Sequence, residues 1–157
     1  MRTLIELLDE VPALRVLAPE HRAAIAGCTR NRVYARGEAL LRESGPADEF
    51  FVIRHGLVAI ETEVPGRGAV TLETLHAGDV LGWSWLLPPY RSAFGARSLA
   101  TTRVLAIDGA CLRGKCDAEP ALGYDLLKVM AAVFGERLQD TRLRLLDLYG
   151  NGHGGDR

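Results

Sequence analysis

Between Cys28 and Asp108 the apolar residues recur at every second position, in short runs that Gly and Pro separate. A period of two buries one face of an extended strand, and turn residues at about every eight to twelve positions are typical of antiparallel sheets. So many short strands predict a barrel, sandwich or roll. The candidate strands are residues 32–35, 39–42, 49–54, 57–63, 69–75, 96–100 and 103–108.

Helical spacing replaces this pattern on both sides of the strands. With 157 residues the chain corresponds to about one domain. Its 48% hydrophobic and 25% charged residues are close to the globular averages, which excludes disordered and collagen-like chains. We predict one mainly β domain at 1–149, with helices in 3–27, strands in 28–108, a long helix at 118–149 and a disordered Gly-rich tail at 150–157.

Two apolar stripes run along the long C-terminal helix. The first forms a heptad seam, which predicts a homodimeric coiled coil, although one amphipathic helix lying on its own domain is the alternative. The second lies on a neighbouring face and is predicted to pack on the strands. The seam contains Leu127, Ala131, Phe134, Leu138, Thr141, Leu145 and Leu148, and the second stripe contains Leu122, Leu126, Met130 and Val133.

The charge balance argues against nucleic acid as a direct partner. The net charge is -1, and residues 119–149 hold five acidic and four basic side chains, so no basic recognition surface is expected. No stretch reaches the ~18 apolar residues of a membrane helix, and acidic residues interrupt the first ten positions. The sequence therefore predicts a cytoplasmic protein that binds neither DNA nor a membrane.

Few residues of the sequence suggest a metal site or an enzyme active site. Cys28, Cys111 and Cys116 match no metal or redox spacing and are interpreted as buried thiols. His55 and His76 lack the paired spacing of a metal-dependent cupin. No catalytic triad, phosphate-binding P-loop or carboxylate pair is visible, so we predict no enzyme, no metal and no cofactor.

The segment 78–93 is the strongest candidate for binding chemistry. After Asp79 its one formal charge is Arg91, so its potential favours an anion. Ser84 to Leu87 is long enough for one helical turn, whose free N–H groups would bind phosphate beside the Arg91 fork and the Ser92 hydroxyl. A solvated surface arginine is the alternative interpretation.

Three motifs in this order resemble the cyclic nucleotide-binding domain of the catabolite-activator and fumarate-nitrate regulator superfamily. They are Phe51-Val52-Ile53-Arg54-His55-Gly56-Leu57-Val58, Gly78-Asp79-Val80-Leu81-Gly82 and Arg91-Ser92-Ala93. The resemblance covers about residues 13–149. It implies a jelly-roll-like β-roll, or double-stranded β-helix, followed by a long dimerisation helix, with cyclic AMP or cyclic GMP as ligand.

The resemblance also implies roles for single residues. Arg91 would clamp the cyclic phosphate, Ser92 and the Ala93 amide would add hydrogen bonds, and Gly82 would let the backbone approach the ribose. On the long helix, Thr141 and Arg142 would lie near the purine, one of them across the dimer.

Two departures from the family leave two functions open. Trp83 stands where the family usually has a Glu that accepts hydrogen bonds from the ribose 2′-hydroxyl, and Trp83 and Trp85 either stack on a ligand ring or cap the core. Few residues follow Tyr149, where the family's transcription factors continue into a helix-turn-helix. The chain is interpreted as a stand-alone sensor of a cyclic nucleotide or related phosphate, or as a degenerate module that docks another protein.

Overall fold

Eight antiparallel strands form two sheets of four strands each in the computed structural model, which describes residues 1–150. One sheet has the order β1-β8-β3-β6 and the other β2-β7-β4-β5. The strands are β1 (Thr29–Tyr34), β2 (Ala39–Leu41), β3 (Glu49–His55), β4 (Val58–Val64), β5 (Gly68–Leu75), β6 (Val80–Leu81), β7 (Gly95–Ser98) and β8 (Thr102–Asp108).

Helices lie before and after the strands. They are α1 (Leu4–Asp9), a short 3-10 helix (Pro12–Leu14), α2 (Pro19–Ala26), α3 (Gly109–Ala118) and α4 (Pro120–Gly150). The predicted disorder of residues 151–157 lies outside the described residues. Along residues 1–150 we find no helix with the length and apolar character that crossing a membrane requires.

Two apolar clusters hold these layers together. The first fills the space between the sheets, where Phe51 and Ile53 of β3 face Val58 and Ala96 of the other sheet. The second joins the sheet that contains β1 and β8 to the helices and includes Trp85 and Leu122. The predicted β-roll with flanking helices is confirmed.

All seven predicted strands exist, with ends that differ by up to three residues. Two elements were not predicted. The strand β6 has two residues, too few to show a period. The helix α3 contains two glycines, and Leu112 is its one fully buried apolar side chain. Its start is fixed by Asp108, whose side chain accepts a hydrogen bond from the Cys111 N–H at 2.7 Å.

The long helix α4 begins at Pro120, two residues later than predicted, and its 31 residues span about 46 Å. Its two stripes face opposite environments. Leu122, Leu126 and Met130 are buried against the domain, as predicted for the second stripe. Most of the seam faces outward, with Leu138 52% and Leu148 73% exposed. Its member Phe134 is an exception, because it is partly buried and packs against the domain core.

Two of the cysteines are not the free thiols that the sequence predicts. Cys28 and Cys111 form a disulfide across a sequence separation of 83 residues, while Cys116 is free. The strand pairing brings the two cysteines together, because the Asp108 N–H donates to the Cys28 carbonyl and Cys111 lies in the first turn of α3. A contact between such distant positions has no local sequence signal.

A buried histidine joins α2 to α4. The Nδ1 atom of His21 lies 2.6 Å from Oδ2 of Asp125, and its Nε2 atom lies 3.7 Å from Glu119. The Ala18 N–H also donates to Asp125, and Lys128 lies 3.9 Å from it. The hydrogen bond to Asp125 raises the pKa of His21 and lowers that of Asp125, in both cases against the opposing effect of burial.

Replacing His21 by Gln is expected to destabilise the fold in a pH-dependent way. Because the folded-state pKa of His21 is raised, its stabilisation is fully present below pH ~6.5 and is lost as the pH rises through the raised value. Urea unfolding of the native and variant chains should therefore differ more at pH 5 than at pH 9. Adding Asp125→Asn should remove this pH dependence, and equal differences at both pH values would contradict the ion pair.

Candidate functional site

The loop between β6 and β7 carries most of the predicted ligand residues. It begins at Gly82, whose φ of +96° is a conformation that favours glycine. A Cβ atom on Gly82 would lie 3.4 Å from the Cβ of Phe50, so the loop also starts in close contact with β3. Glycine thus lets the chain turn away from the sheet here.

The two tryptophans of the loop have different environments. Trp85 is fully buried and stacks on Phe50, with ring centroids 4.6 Å apart and an interplanar angle of 16°. It therefore caps the core, one of the two roles that the sequence allowed. Trp83 is 43% exposed, so its indole is available to a ligand or a partner.

Arg113 of α3 fastens this loop from the opposite side. Its Nη1 atom donates a hydrogen bond to the Trp85 carbonyl, and its guanidinium carbon lies 4.1 Å from the centroid of the Tyr90 ring. No sequence pattern pointed to Arg113, because α3 itself was not predicted. The loop is thus held by the packing of Trp85 and by Arg113, which contacts it at both Trp85 and Tyr90.

Arg91 and Ser92 are fixed by the backbone of the turn before β3. The Ser44 N–H donates to the Ser92 carbonyl at 2.8 Å, and the Ser92 N–H donates to the Gly45 carbonyl at 2.9 Å. The Ala47 N–H completes the pairing by donating to the Tyr90 carbonyl at 2.8 Å. Ser92 is only 6% exposed, and because its N–H is used here, its hydroxyl is the one side-chain polar group that it could offer a ligand.

The guanidinium of Arg91 is exposed and has one weak partner. Its Nη1 atom lies 3.4 Å from the Ser44 carbonyl, and none of the ion pairs within residues 1–150 involves Arg91. The adjacent acid, Glu43, is already engaged by the Thr62 hydroxyl and the Glu63 N–H, and these hydrogen bonds lower its pKa. Arg91 thus keeps its charge available for an anion.

Two further predictions for the loop have mixed outcomes. Instead of the helical turn expected at residues 84–87, residues 83–86 form a single turn, in which the Leu86 N–H donates to the Trp83 carbonyl. Ser84 is 7% exposed, whereas Ala93 lies at the surface. The Pro88-Pro89 pair explains the missing helix, because Pro disfavours a helical residue before it and lacks an N–H donor.

No hydrogen bond or ion pair within residues 1–150 joins the predicted purine contacts to this loop. Thr141 and Arg142 are exposed on α4, and the Thr141 hydroxyl donates to the Arg137 carbonyl at 2.9 Å. A groove of about 890 Å³ separates α4 from the β5–β6 turn, and neither Thr141 nor Arg91 lines it. Arg137 does, between Glu73 and Asp79, where burial lowers its pKa.

The loop, its glycine and its Arg-Ser-Ala sequence lie within the region that a family model matches. The family is described as the cyclic nucleotide-binding domain, and the match spans residues 31–119. The chain belongs to the cyclic nucleotide-binding domain family.

Three proteins similar to this chain have a descriptive name or a solved structure. A solved cyclic nucleotide-binding protein of Geobacter metallireducens is 27% identical, with a TM-score of 0.77 over 85% of this chain and 96% of that chain. The HTH-type transcriptional regulator Cmr of Mycobacterium tuberculosis is 27% identical over 85% of this chain and 54% of that protein. The cAMP-dependent protein kinase regulatory subunit of Dictyostelium discoideum is 28% identical over 66% of this chain and 32% of that protein.

The chain spans about half of the length of Cmr and a third of that of the kinase subunit. Both are named as regulatory proteins rather than catalytic ones. The family assignment made from three sequence motifs is confirmed. It applies to the cyclic nucleotide-binding domain that the chain shares with these larger proteins.

Proposed function

We propose that the chain is a regulatory sensor that binds a cyclic nucleotide, or a related phosphate, at Arg91 and Ser92. The observation that carries the proposal is the exposed Arg91 guanidinium, which is fixed at its backbone and forms no ion pair within residues 1–150. An arginine that forms no ion pair can bind two oxygens of a phosphate through parallel hydrogen bonds. The Ser92 hydroxyl and the Ala93 N–H would add hydrogen bonds, and Gly82 would admit the ribose.

The position of the site within the family supports this proposal. Arg91-Ser92-Ala93 follows Gly82 at the spacing of the family's phosphate-binding cassette. The kinase subunit of Dictyostelium discoideum is named as cAMP-dependent, so cyclic AMP and cyclic GMP are the first ligands to test. The proposed role is ligand-controlled regulation, without catalysis and without direct contact to DNA.

Signalling would pass through a homodimer of α4. Six large apolar side chains in its last thirteen residues are about half or more exposed: Leu138, Leu143, Leu145, Leu146, Leu148 and Tyr149. A helix with this pattern buries its apolar side against another helix. Pairing of two α4 helices would also bring Thr141 or Arg142 of a second chain towards Arg91, Ser92 and Ala93.

Calorimetric titration of the native protein with cyclic AMP, cyclic GMP and 5′-AMP tests the proposal. Binding of a cyclic nucleotide below about 1 mM, which corresponds to roughly 4 kcal/mol, is the expected result. 5′-AMP is the control for cyclic AMP, because it has the same base and sugar but its phosphate is not closed into a ring. No heat with either cyclic nucleotide would overturn the ligand assignment.

Replacing Trp83 by Glu is expected to raise the affinity for the cyclic nucleotide about tenfold. A carboxylate at this position would accept hydrogen bonds from the ribose, and such charged hydrogen bonds contribute about 1.5–3 kcal/mol. The control is Trp83→Ala, which removes the same bulk without adding an acceptor. Equal affinities of the Glu and Ala variants would show that the ribose lies elsewhere.

The exposed Trp83 supports a second candidate function. An indole that is 43% exposed, in the place of an acid, suits a protein contact better than a sugar contact. In this alternative the domain no longer binds nucleotide and serves as a dimeric docking module. The calorimetry above separates the two functions, because the docking module binds neither cyclic nucleotide.

The cytoplasmic location expected from the sequence stays a proposal. The Cys28–Cys111 disulfide weighs against it, since cytoplasmic proteins seldom keep disulfides. Alkylation of the protein in intact cells, followed by mass spectrometry without reduction, shows whether Cys28 and Cys111 form a disulfide there or are free thiols. A cytoplasmic protein should carry the alkyl label on both Cys28 and Cys111.

A further inference from the structure

Three arginines and a histidine meet at the end of the roll where β3 turns into β4. Arg2, Arg54, His55 and Arg103 line a cavity of about 400 Å³, and no acidic residue lines it within residues 1–150. Arg91 lies outside this cavity. The cluster is therefore separate from the cyclic nucleotide site proposed above.

A β-bulge brings these side chains to the same side of the sheet. Ile53 pairs with Val104 of β8, and the register then shifts so that His55, rather than Arg54, pairs with Arg103. Successive residues of a regular strand point to opposite faces, but a bulge places two residues against one. Arg54 and His55 consequently share one cavity with Arg103.

The backbone around the bulge is rigid. Gly56 has a φ of +111°, and a Cβ atom there would lie 2.5 Å from the hydroxyl oxygen of Thr102. Thr102 is itself fully buried, and its hydroxyl accepts from the Leu57 N–H at 3.3 Å. The turn and the start of β8 are thus locked together, which holds the backbone of Arg54, His55 and Arg103 in place before any ligand arrives.

The hydrogen-bond partners of the three arginines do not neutralise all of their positive charge. Arg2 bonds to Glu10, and Arg54 donates to the amide oxygen of Asn31 at 3.2 Å. In the part of the chain that the structure describes, no side-chain hydrogen bond or ion pair involves Arg103. Basic side chains that oppose each other across a sheet repel, so an anion between them would stabilise the fold.

We propose that this cavity binds a small molecule with two or more phosphate groups. Arginine pairs with phosphate oxygens through two parallel hydrogen bonds, and Arg54 and Arg103, which form no ion pair within residues 1–150, suit a multiply charged anion better than a single carboxylate. The volume lies at the lower end of small-molecule sites, which fits a group of the size of pyrophosphate. The site needs no cyclic nucleotide and does not depend on the proposed function.

Inorganic pyrophosphate is the probe, titrated by calorimetry at constant ionic strength. The native protein is expected to bind it below about 1 mM. The double variant Arg54→Gln, Arg103→Gln should lose at least about tenfold in affinity, because each lost arginine removes charged hydrogen bonds. The matched control is Arg36→Gln, Arg67→Gln, which removes the same charge from two exposed turns elsewhere and should bind like the native protein.

The outcomes distinguish binding in this cavity from binding at Arg91 and from general attraction between opposite charges. An Arg91→Ala variant that binds pyrophosphate like the native protein supports the assignment. Equal losses in the Arg54 and Arg36 double variants would overturn it, since attraction to net charge would then suffice. Absence of binding to the native protein, or loss of binding in Arg91→Ala, would overturn it as well.

Discussion

Replacing Arg91 by Ala is expected to reduce the affinity for a cyclic nucleotide by about 100-fold or more. The guanidinium would supply two charged hydrogen bonds, each of which contributes about 1.5–3 kcal/mol. The fold should not change, because Arg91 is exposed and the ladder of Tyr90 and Ser92 uses backbone atoms. The measurement is the calorimetric titration of native and variant proteins.

Two controls define what this loss means. Arg91→Lys keeps the charge but cannot form the two parallel hydrogen bonds, so it should bind with intermediate affinity. Arg36→Ala removes a charge from an exposed turn and should bind like the native protein. An Arg91→Ala variant with native affinity would show that the phosphate binds elsewhere.

Replacing Leu138 by Asp is expected to convert a dimer into monomers. Leu138 lies in the middle of the α4 seam and is 52% exposed in a single chain, so a partner helix would bury it. Burying an unpaired carboxylate costs several kcal/mol, which is enough to separate the two helices at micromolar concentrations. Sedimentation of the native and variant proteins measures the change.

The matched control is Gln139→Asp, which places the same charge one residue away from the seam. This variant should remain dimeric, and both variants should keep the unfolding midpoint of the β-roll at low concentration. A native protein that sediments as a monomer would contradict the dimer. Monomers of both variants would indicate that added charge, rather than the seam, is responsible.

The sequence predicted the roll because its signal is local. Alternating apolar residues and Gly turns define seven of the eight strands without knowledge of the rest of the chain. The two stripes of α4 were separated in the same way, and Leu126 and Leu138 lie on the faces predicted for them. Three short motifs in order sufficed to identify the family.

Long-range contacts account for much of what the sequence missed. Arg113 acts on a loop 28 residues earlier in the chain, and Cys28 meets Cys111 across 83 residues. The bulge at Arg54 depends on how β8 pairs with β3, which no local pattern records. The predicted helical turn after Ser84 failed for a local reason, the Pro88-Pro89 pair that follows it.

The unequal packing of α4 has a mechanical consequence. Its last fully buried side chain is Met130, and the part of the helix after Phe134, which is partly buried, extends for roughly 24 Å. This part keeps one hydrogen bond to the roll, which Arg144 donates to the Leu72 carbonyl at 3.1 Å. A rotation of ~10° about the packed turns would displace the far end by ~4 Å, by simple lever geometry on that length. A small rotation of the packed turns would thus be enlarged into a displacement of the helix tip.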